Sequence, residues 1–187
     1  TKKHLLNSVK IRLRSDVPMA FCLSGGIDSS SIVSIAKKYF NHDVTTFSII
    51  DQDVRYNEKE NILATINDIN CKSNFIELSY DNMISRLENL VRYHDSPISS
   101  LSYLIHSMLS EKISDQGIKV AFSGTGADEI FTGYYDHYLL HLNELSKDEL
   151  SFNENLQFWK NDIYPLIRNP MIKEPYLYIN DPGFRRH

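Results

Sequence analysis

Two short stretches of serine and glycine each follow an apolar run and lead into a segment with helical character. The first is Ser24-Gly25-Gly26-Ile27-Asp28-Ser29-Ser30, and the second is Ser123-Gly124-Thr125-Gly126-Ala127-Asp128-Glu129. The chain has only seven glycines, and four of them lie in these two stretches. Glycine is needed where a backbone turns sharply or approaches another group closely. The pattern therefore predicts two tight turns, each between a buried strand and a helix.

The rest of the chain alternates between strand-like and helix-like segments with short connections. Apolar or β-branched runs predict strands over 19–23, 44–50, 73–78 and 118–122, and helical spacing predicts helices over 2–14, 28–40, 58–69, 81–93 and 101–114. This alternation predicts an α/β fold with a parallel sheet and helices on both faces, followed by a helical C-terminal part. In such sheets ligands bind at the carboxyl ends of the strands, where both glycine stretches are predicted to lie.

Composition and charge limit the classes of partner. The net charge of −4 gives no support to a broad nucleic-acid surface. No apolar run approaches the roughly 20 residues that span a bilayer, and the basic first fifteen residues lack the apolar segment of a signal peptide. The two cysteines, Cys22 and Cys71, do not imply a disulfide framework. We expect a cytoplasmic protein without a nucleic-acid or membrane partner.

The first stretch has the chemistry of a phosphate site. Ser24, Gly25 and Gly26 allow successive backbone N–H groups to point into one hollow, and the positive end of the next helix faces the same place. Ser29 and Ser30 add hydroxyl donors there. A carboxylate beside phosphates repels them unless a cation lies between, so Asp28 indicates Mg²⁺. The alternative is a tight strand-to-helix turn in which Asp28 caps the helix.

The second stretch offers complementary groups. Gly124 and Gly126 allow close backbone approach, and Asp128 and Glu129 supply hard oxygen ligands for Mg²⁺. The alternative is a glycine-rich turn with an acidic helix start, which the helix dipole would favour by itself. Taken together, the two stretches predict one nucleotide site built from two strand ends, with Mg²⁺ held by Asp28 and Asp128.

The residues of both stretches resemble known motifs. The first resembles the PP-loop of the ATP pyrophosphatases, which cleave ATP between the α and β phosphates. The second, continued to Tyr134, is similar to the Ser-Gly-Glu-Gly-Ser-Asp-Glu-x-Phe-x-Gly-Tyr string of the asparagine synthetases. Tyr56-Asn57-Glu58 and His94-Asp95-Ser96-Pro97 also resemble segments of that family. The resemblance covers most of residues 17–140.

The resemblance implies a reaction and a set of site residues. A carboxylate, aspartate-like in this family, is adenylated with release of pyrophosphate, and ammonia from glutamine then forms an amide. ATP and Mg²⁺ are the implied cofactors, with Asp28, Asp128 and Glu129 in catalytic roles and Asp28 and Asp128 as metal ligands. The implied ATP-binding residues are Leu23, Ser24, Gly25, Gly26, Ser29, Ser30, Ile49, Ser123 and Gly124.

The resemblance also implies a domain organisation. We expect a single synthetase domain over 1–187, with a leading helix over 1–15, a nucleotide-binding core over 17–133 and a helical extension over 134–187. The chain begins at Thr1 and not at Met, so we expect it to be part of a longer protein. A glutaminase domain is expected upstream in the full-length chain.

One residue departs from the asparagine synthetase string. Thr125 stands where those enzymes carry Glu. Relatives that form other amides, such as β-lactam synthetase and lasso-peptide cyclases, vary at this place, so the departure weakens the inference that aspartate is the substrate. The alternatives are another PP-loop adenylating enzyme, which forms an amide or lactam or modifies a tRNA base, and a non-catalytic ATP-binding module.

Overall fold

The central element of the fold is a parallel sheet. The computed structural model describes residues 1–54, 56–79 and 81–183. Within them the strands are β1 (Met19–Cys22), β2 (Thr45–Ile50), β3 (Lys72–Glu77) and β4 (Val120–Phe122), in the order β3-β2-β1-β4 with every pair parallel. The predicted α/β fold with a parallel sheet is confirmed. Because β1 pairs with both β2 and β4, its carboxyl end lies between theirs.

Helices cover both faces of this sheet. They are α1 (Lys2–Arg12), α2 (Ile27–Ser34), which continues as a π-helical turn over Ile35–Tyr39, α3 (Lys59–Ile69), α4 (Met83–His94) and α5 (Ser102–Asp115). Strand side chains alternate between faces. Phe21 and Leu23 pack with Ile62 of α3 on one face, and Ala20 and Phe47 pack with α5 on the other. The predicted helices on both faces are confirmed.

The fourth strand is shorter than predicted at its amino end. We predicted 118–122, and the strand begins at Val120. The Ile118 N–H donates to the carbonyl of Ile113 at 3.3 Å, so this residue caps the end of α5 and precedes the strand. Gly117, with φ +74°, makes the left-handed turn that ends the helix.

The chain divides into two compact units, Thr1–Thr125 and Gly126–His187. The second unit contains α6 (Ala127–Phe131), α7 (Tyr135–Leu145), α8 (Glu149–Phe158), which continues as a π-helical turn over Trp159–Ile163, and α9 (Pro175–Asn180). Two short 3-10 turns, Tyr164–Leu166 and Pro170–Lys173, connect α8 to α9. The predicted helical C-terminal part is confirmed as far as residue 183; its last four residues lie outside the described ranges. The predicted single domain, with an inner boundary after Gly133, stays a prediction.

A core of its own holds the second unit together. Its buried members are Leu139, Leu142, Leu156, Trp159, Ile163, Ile167 and Tyr178.

In the described ranges, no helix combines the length and the apolar character that crossing a membrane requires. Both cysteines are free, and burial raises the pKa of the Cys22 thiol.

Candidate functional site

The first stretch, residues 24–30, begins with a loop that turns at the carboxyl end of β1 through a glycine. This loop is called the first loop below, and the loop that follows β4 is called the second loop. Gly25 has φ +87°, a backbone conformation that favours glycine. A Cβ at this position would lie 3.1 Å from the carbonyl oxygen of Glu58 and 3.1 Å from Cβ of Asn61. The start of α3 therefore packs directly behind the loop, and Gly25 serves both the turn and this close approach.

Hydrogen bonds within the loop hold its shape. The Ser29 hydroxyl is buried, accepts the Ser24 N–H at 3.2 Å and donates to the carbonyl of Gly26 at 3.2 Å. Its oxygen also lies 3.0 Å from Oγ of Ser24. The contacts of the Ser29 hydroxyl thus brace the loop from inside, and its predicted contact with phosphate stays a prediction.

Helix α2 begins immediately after the loop. Gly26 occupies the N-cap position with an extended backbone, so Asp28 lies in the first turn. Its Cβ therefore sits at the end of the helix where the backbone N–H groups carry partial positive charge. The Ser30 N–H donates to the carbonyl of Gly26 at 3.1 Å, and the Thr65 hydroxyl of α3 donates to Oγ of Ser30 at 3.1 Å.

The second loop reaches the first through Gly124, which follows β4. A Cβ at Gly124 would lie 2.9 Å from the backbone nitrogen of Ser29 and 3.2 Å from Cβ of Asp28. No other residue fits at this distance without a shift of the backbone. Ser123 and Thr125 lie on either side of this contact, and their hydroxyl groups form a hydrogen bond with each other at 2.7 Å. The structure thus brings Gly124 to the first turn of α2, as the sequence predicts for two loops at one sheet edge.

Leu23 and Ile49 lie near the same edge but face opposite sides of the sheet. Leu23 is 1% exposed and packs in the core beneath α2 and α3, and its N–H donates to the carbonyl of Phe47 at 3.0 Å. Ile49, at the end of β2, packs on the α5 side. It also lines a cavity of about 570 Å³ at the carboxyl ends of β2 and β3.

This cavity was not predicted from the sequence. Its apolar walls come from the two strand ends and from α4 and α5, and include Leu78, Met83, Leu104, Ile105 and Met108. Asp51 and Ser79 add polar groups near the strand ends. The volume falls in the range of small-molecule sites, which run from about 300 to 1,000 Å³. Its members come from four separate elements, so local sequence patterns contain no signal for it.

Two residues at the end of the second motif, Gly133 and Tyr134, contact its acidic residues. In the second unit, Asp128 and Glu129 form the first turn of α6. The Gly133 N–H donates to the Asp128 carbonyl at 2.9 Å, and a Cβ at Gly133 would collide with the Asp128 carboxylate. The Tyr134 hydroxyl donates to Oε1 of Glu129 at 2.8 Å, which lowers the pKa of the Glu129 carboxyl and raises that of Tyr134.

The donor set is compatible with the predicted Mg²⁺ but does not form a cage for it. Across residues 1–54, 56–79 and 81–183, no group of three or more His, Cys, Asp or Glu side chains is placed to hold a metal ion. Magnesium beside a nucleotide usually takes one or two carboxylates and completes its shell with phosphate oxygens and water, so two aspartates suffice chemically. Asp28 lies in the first unit and Asp128 in the second, and their joint coordination of the ion stays a prediction.

Sequence comparisons with known proteins agree with the motifs. The amidase chyE of Penicillium rubens is 32% identical over 147 residues, which cover 71% of this chain and 22% of that protein. Asparagine synthetase [glutamine-hydrolyzing] 1 of Bacillus subtilis is 34% identical over 130 residues, which cover 70% of this chain and 20% of that protein. The chain thus spans about a fifth of the length of these relatives. A solved NH3-dependent NAD synthetase from Campylobacter jejuni has a TM-score of 0.46 and 14% identity, covering 98% of this chain and 93% of that one.

A family model supplies the assignment. Residues 1–174 match the model described as asparagine synthase, and this range contains both glycine stretches and every candidate site residue. The chain therefore belongs to the asparagine synthase family.

Proposed function

We propose that this chain is the ATP-using part of an amide-forming ligase. A substrate carboxylate attacks the α-phosphorus of ATP, the bond to the β-phosphate oxygen breaks, and pyrophosphate leaves. An amine then attacks the acyl-adenylate, and AMP departs as the amide forms. The observation that supports this most is the contact of Gly124 with Asp28 and Ser29, since it joins the two family motifs at the carboxyl edge of the sheet.

We propose that ATP binds along this edge. The first loop and the start of α2 would hold the phosphates, because backbone N–H groups and the helix dipole attract anions there. The cavity lined by Ile49 would hold the adenosine, since its apolar walls suit the faces of a purine ring. Strands β1 and β2 are neighbours in the sheet, so the two places belong to adjacent strand ends.

We propose Asp28 and Asp128 as the residues that hold Mg²⁺. When bound, this ion neutralises charge on the leaving pyrophosphate. The chain itself contributes fixed partial charges from the loop and from α2, which need no reorganisation during the reaction. Tyr134 holds the Glu129 carboxylate through its hydroxyl, and Gly133, which has no Cβ, leaves room for the Asp128 carboxylate.

The proposal also includes an acyl substrate and a nitrogen donor. The family assignment favours an aspartate-like carboxylate, and the name of the Bacillus subtilis relative, a glutamine-hydrolyzing enzyme, favours glutamine as the source of ammonia. We therefore propose that the full-length protein includes a glutaminase part and acts in asparagine biosynthesis in the cytoplasm. Thr125 favours a second candidate, an amide-forming ligase for another carboxylic acid.

Calorimetric titration of the chain with ATP and Mg²⁺ tests ATP use. We expect Asp28→Ala to weaken binding at least about tenfold, since loss of a charge-assisted contact is worth roughly 1.5–3 kcal/mol. Asp16→Ala, at an exposed aspartate before β1, serves as the matched control and should bind like the wild type. Absence of ATP binding, or equal binding by wild type and Asp28→Ala, would contradict the proposal.

A second pair of variants in the same titration tests the adenosine cavity. Ile105→Trp fills the cavity and should weaken adenosine and ATP while leaving pyrophosphate binding unchanged. Ile84→Trp, at a 69% exposed isoleucine of α4, is the control and should leave all three ligands unaffected. If Ile105→Trp binds adenosine like the wild type, the adenosine lies elsewhere.

A further inference from the structure

A hydrogen bond links the first loop's helix to α3. The hydroxyl oxygens of Thr65 and Ser30 lie 3.1 Å apart, with Thr65 placed to donate, and both side chains are partly buried. Thr65 also lies 3.1 Å from the carbonyl oxygen of Asn61, one helical turn earlier. The two residues are 35 positions apart in the sequence, so their meeting depends on the packing of α2 against α3.

The usual local partner of the Ser30 hydroxyl is already occupied. A serine inside a helix commonly donates to the carbonyl four residues earlier. For Ser30 that carbonyl belongs to Gly26, which already accepts the Ser30 N–H and the Ser29 hydroxyl. The bond from Thr65 therefore sets the direction of the Ser30 hydroxyl.

The number of hydroxyl protons determines which groups Thr65 and Ser30 can donate to. A hydroxyl group has one proton and two lone pairs. The Thr65 proton has two acceptors at 3.1 Å, Oγ of Ser30 and the Asn61 carbonyl. When Thr65 donates to Oγ of Ser30, the proton of Ser30 stays available for an acceptor at the start of α2. A chain of two hydroxyl groups also polarises its outer donor, which strengthens a bond from Ser30 to an anion.

Helix α3 supports the same loop at a second place. A Cβ at Gly25 would lie 3.1 Å from the Glu58 carbonyl, from Asn61 and from Ile62, all at or near the start of α3. Thr65 is one turn further along that helix. One rigid helix thus contacts both the turn of the loop and the first turn of α2.

We propose that Thr65 is a positioning residue for the phosphate site, which acts by holding the Ser30 hydroxyl as a donor to a phosphate oxygen. The inference rests on the proposed use of ATP. It adds a residue from outside both motifs, on a helix that the motifs do not include.

Titration with pyrophosphate, ATP and adenosine tests the role of Thr65. Thr65→Val keeps the shape of the side chain and removes its hydroxyl, and we expect pyrophosphate and ATP to bind about three- to tenfold more weakly, the worth of one ordinary hydrogen bond. Adenosine, which has no phosphate, should bind as before. Thr65→Ser restores the hydroxyl and should recover wild-type binding. Thr45→Val, at the amino end of β2, is the control and should leave pyrophosphate binding unchanged.

A double-mutant cycle shows whether Thr65 acts through Ser30. Ser30→Ala should weaken pyrophosphate binding, and adding Thr65→Val to it should cause no further loss. Thermal unfolding of each variant reports folding separately. Wild-type binding by Thr65→Val, failure of Thr65→Ser to recover it, or an equal further loss in the Ser30→Ala background would overturn the inference. If the wild type binds neither ATP nor pyrophosphate, the proposed function itself fails.

Discussion

At the scale of single residues, the glycines of the two motifs serve different purposes. Gly25 and Gly126 have φ +87° and +93°, so the backbone conformation explains them. Gly124 has no room for a Cβ beside Ser29. Gly26 has φ −70°, and the nearest atom to an added Cβ is Oγ of Ser24 at 3.4 Å. The fold places no requirement on Gly26, which favours a ligand that approaches its backbone.

We expect Gly124→Ala to destabilise the first unit and to weaken ATP binding. An added Cβ forces the second loop away from α2, which costs about 1–3 kcal/mol of unfolding free energy, as overpacking usually does. Gly26→Ala should cost clearly less unfolding free energy, because its backbone conformation is open to any residue. Urea unfolding of both variants measures the difference. Equal destabilisation by the two would show that the close contact at Gly124 is not a constraint.

At the scale of elements, hydrophobic patterns predict where the helices lie, but they do not predict which distant residues those helices pack against. The pattern after Gly133 is helical to about residue 167, and the structure has α7, α8 and the turns that follow α8 over this range. In α7, Leu139 and Leu142 are buried in the core of the second unit, whereas Leu140 is 43% exposed. Burial on one face explains why this helix forms in the second unit, since short helices depend on packing more than on propensity.

We expect Leu139→Ala to lower the unfolding free energy of the second unit by about 2–5 kcal/mol, since it leaves a cavity in a closed core. Leu140→Ala is the matched control and should change it by less than about 0.5 kcal/mol. The single tryptophan, Trp159, lies in the same core, so its fluorescence during urea unfolding reports this unit. A similar loss from both substitutions would contradict the assignment of the buried face.

At the scale of the whole molecule, the strand order determines which loops meet. The two glycine stretches begin at Ser24 and Ser123, far apart in the sequence, and β4 pairs directly with β1. The carboxyl ends of these neighbouring parallel strands are therefore side by side. The net charge of −4 favours a small-molecule substrate over tRNA for the ligase proposed here.

Exchange of labelled pyrophosphate into ATP, measured on the full-length protein, tests this reading of the whole molecule. We expect exchange that depends on a carboxylic acid and is unaffected by added tRNA. Exchange with aspartate would support asparagine synthesis, and exchange with another acid would support the second candidate. Exchange that requires tRNA, or no exchange with any acid or with tRNA, would contradict the ligase proposal in favour of a tRNA-modifying enzyme or a non-catalytic module.

Sequence alone determined the class of fold, the two tight turns and the family, because these depend on local patterns. An apolar run such as 19–23 indicates a strand that is covered on both faces, and the glycines that follow it indicate a tight turn. The predicted element boundaries were close for the same reason. Even Gly124, which has a distant partner, was identified by its place in a motif.

Tertiary structure alone decided the strand order, the cavity at Ile49 and the contact of Thr65 with Ser30. It also decided that the Ser29 hydroxyl turns inward and that the Leu23 side chain belongs to the core. The Ser29 contacts stay within the first loop, whereas the other features join residues from separate elements. Their physical cause is the packing of helices on a sheet, and no short segment of the chain contains that information.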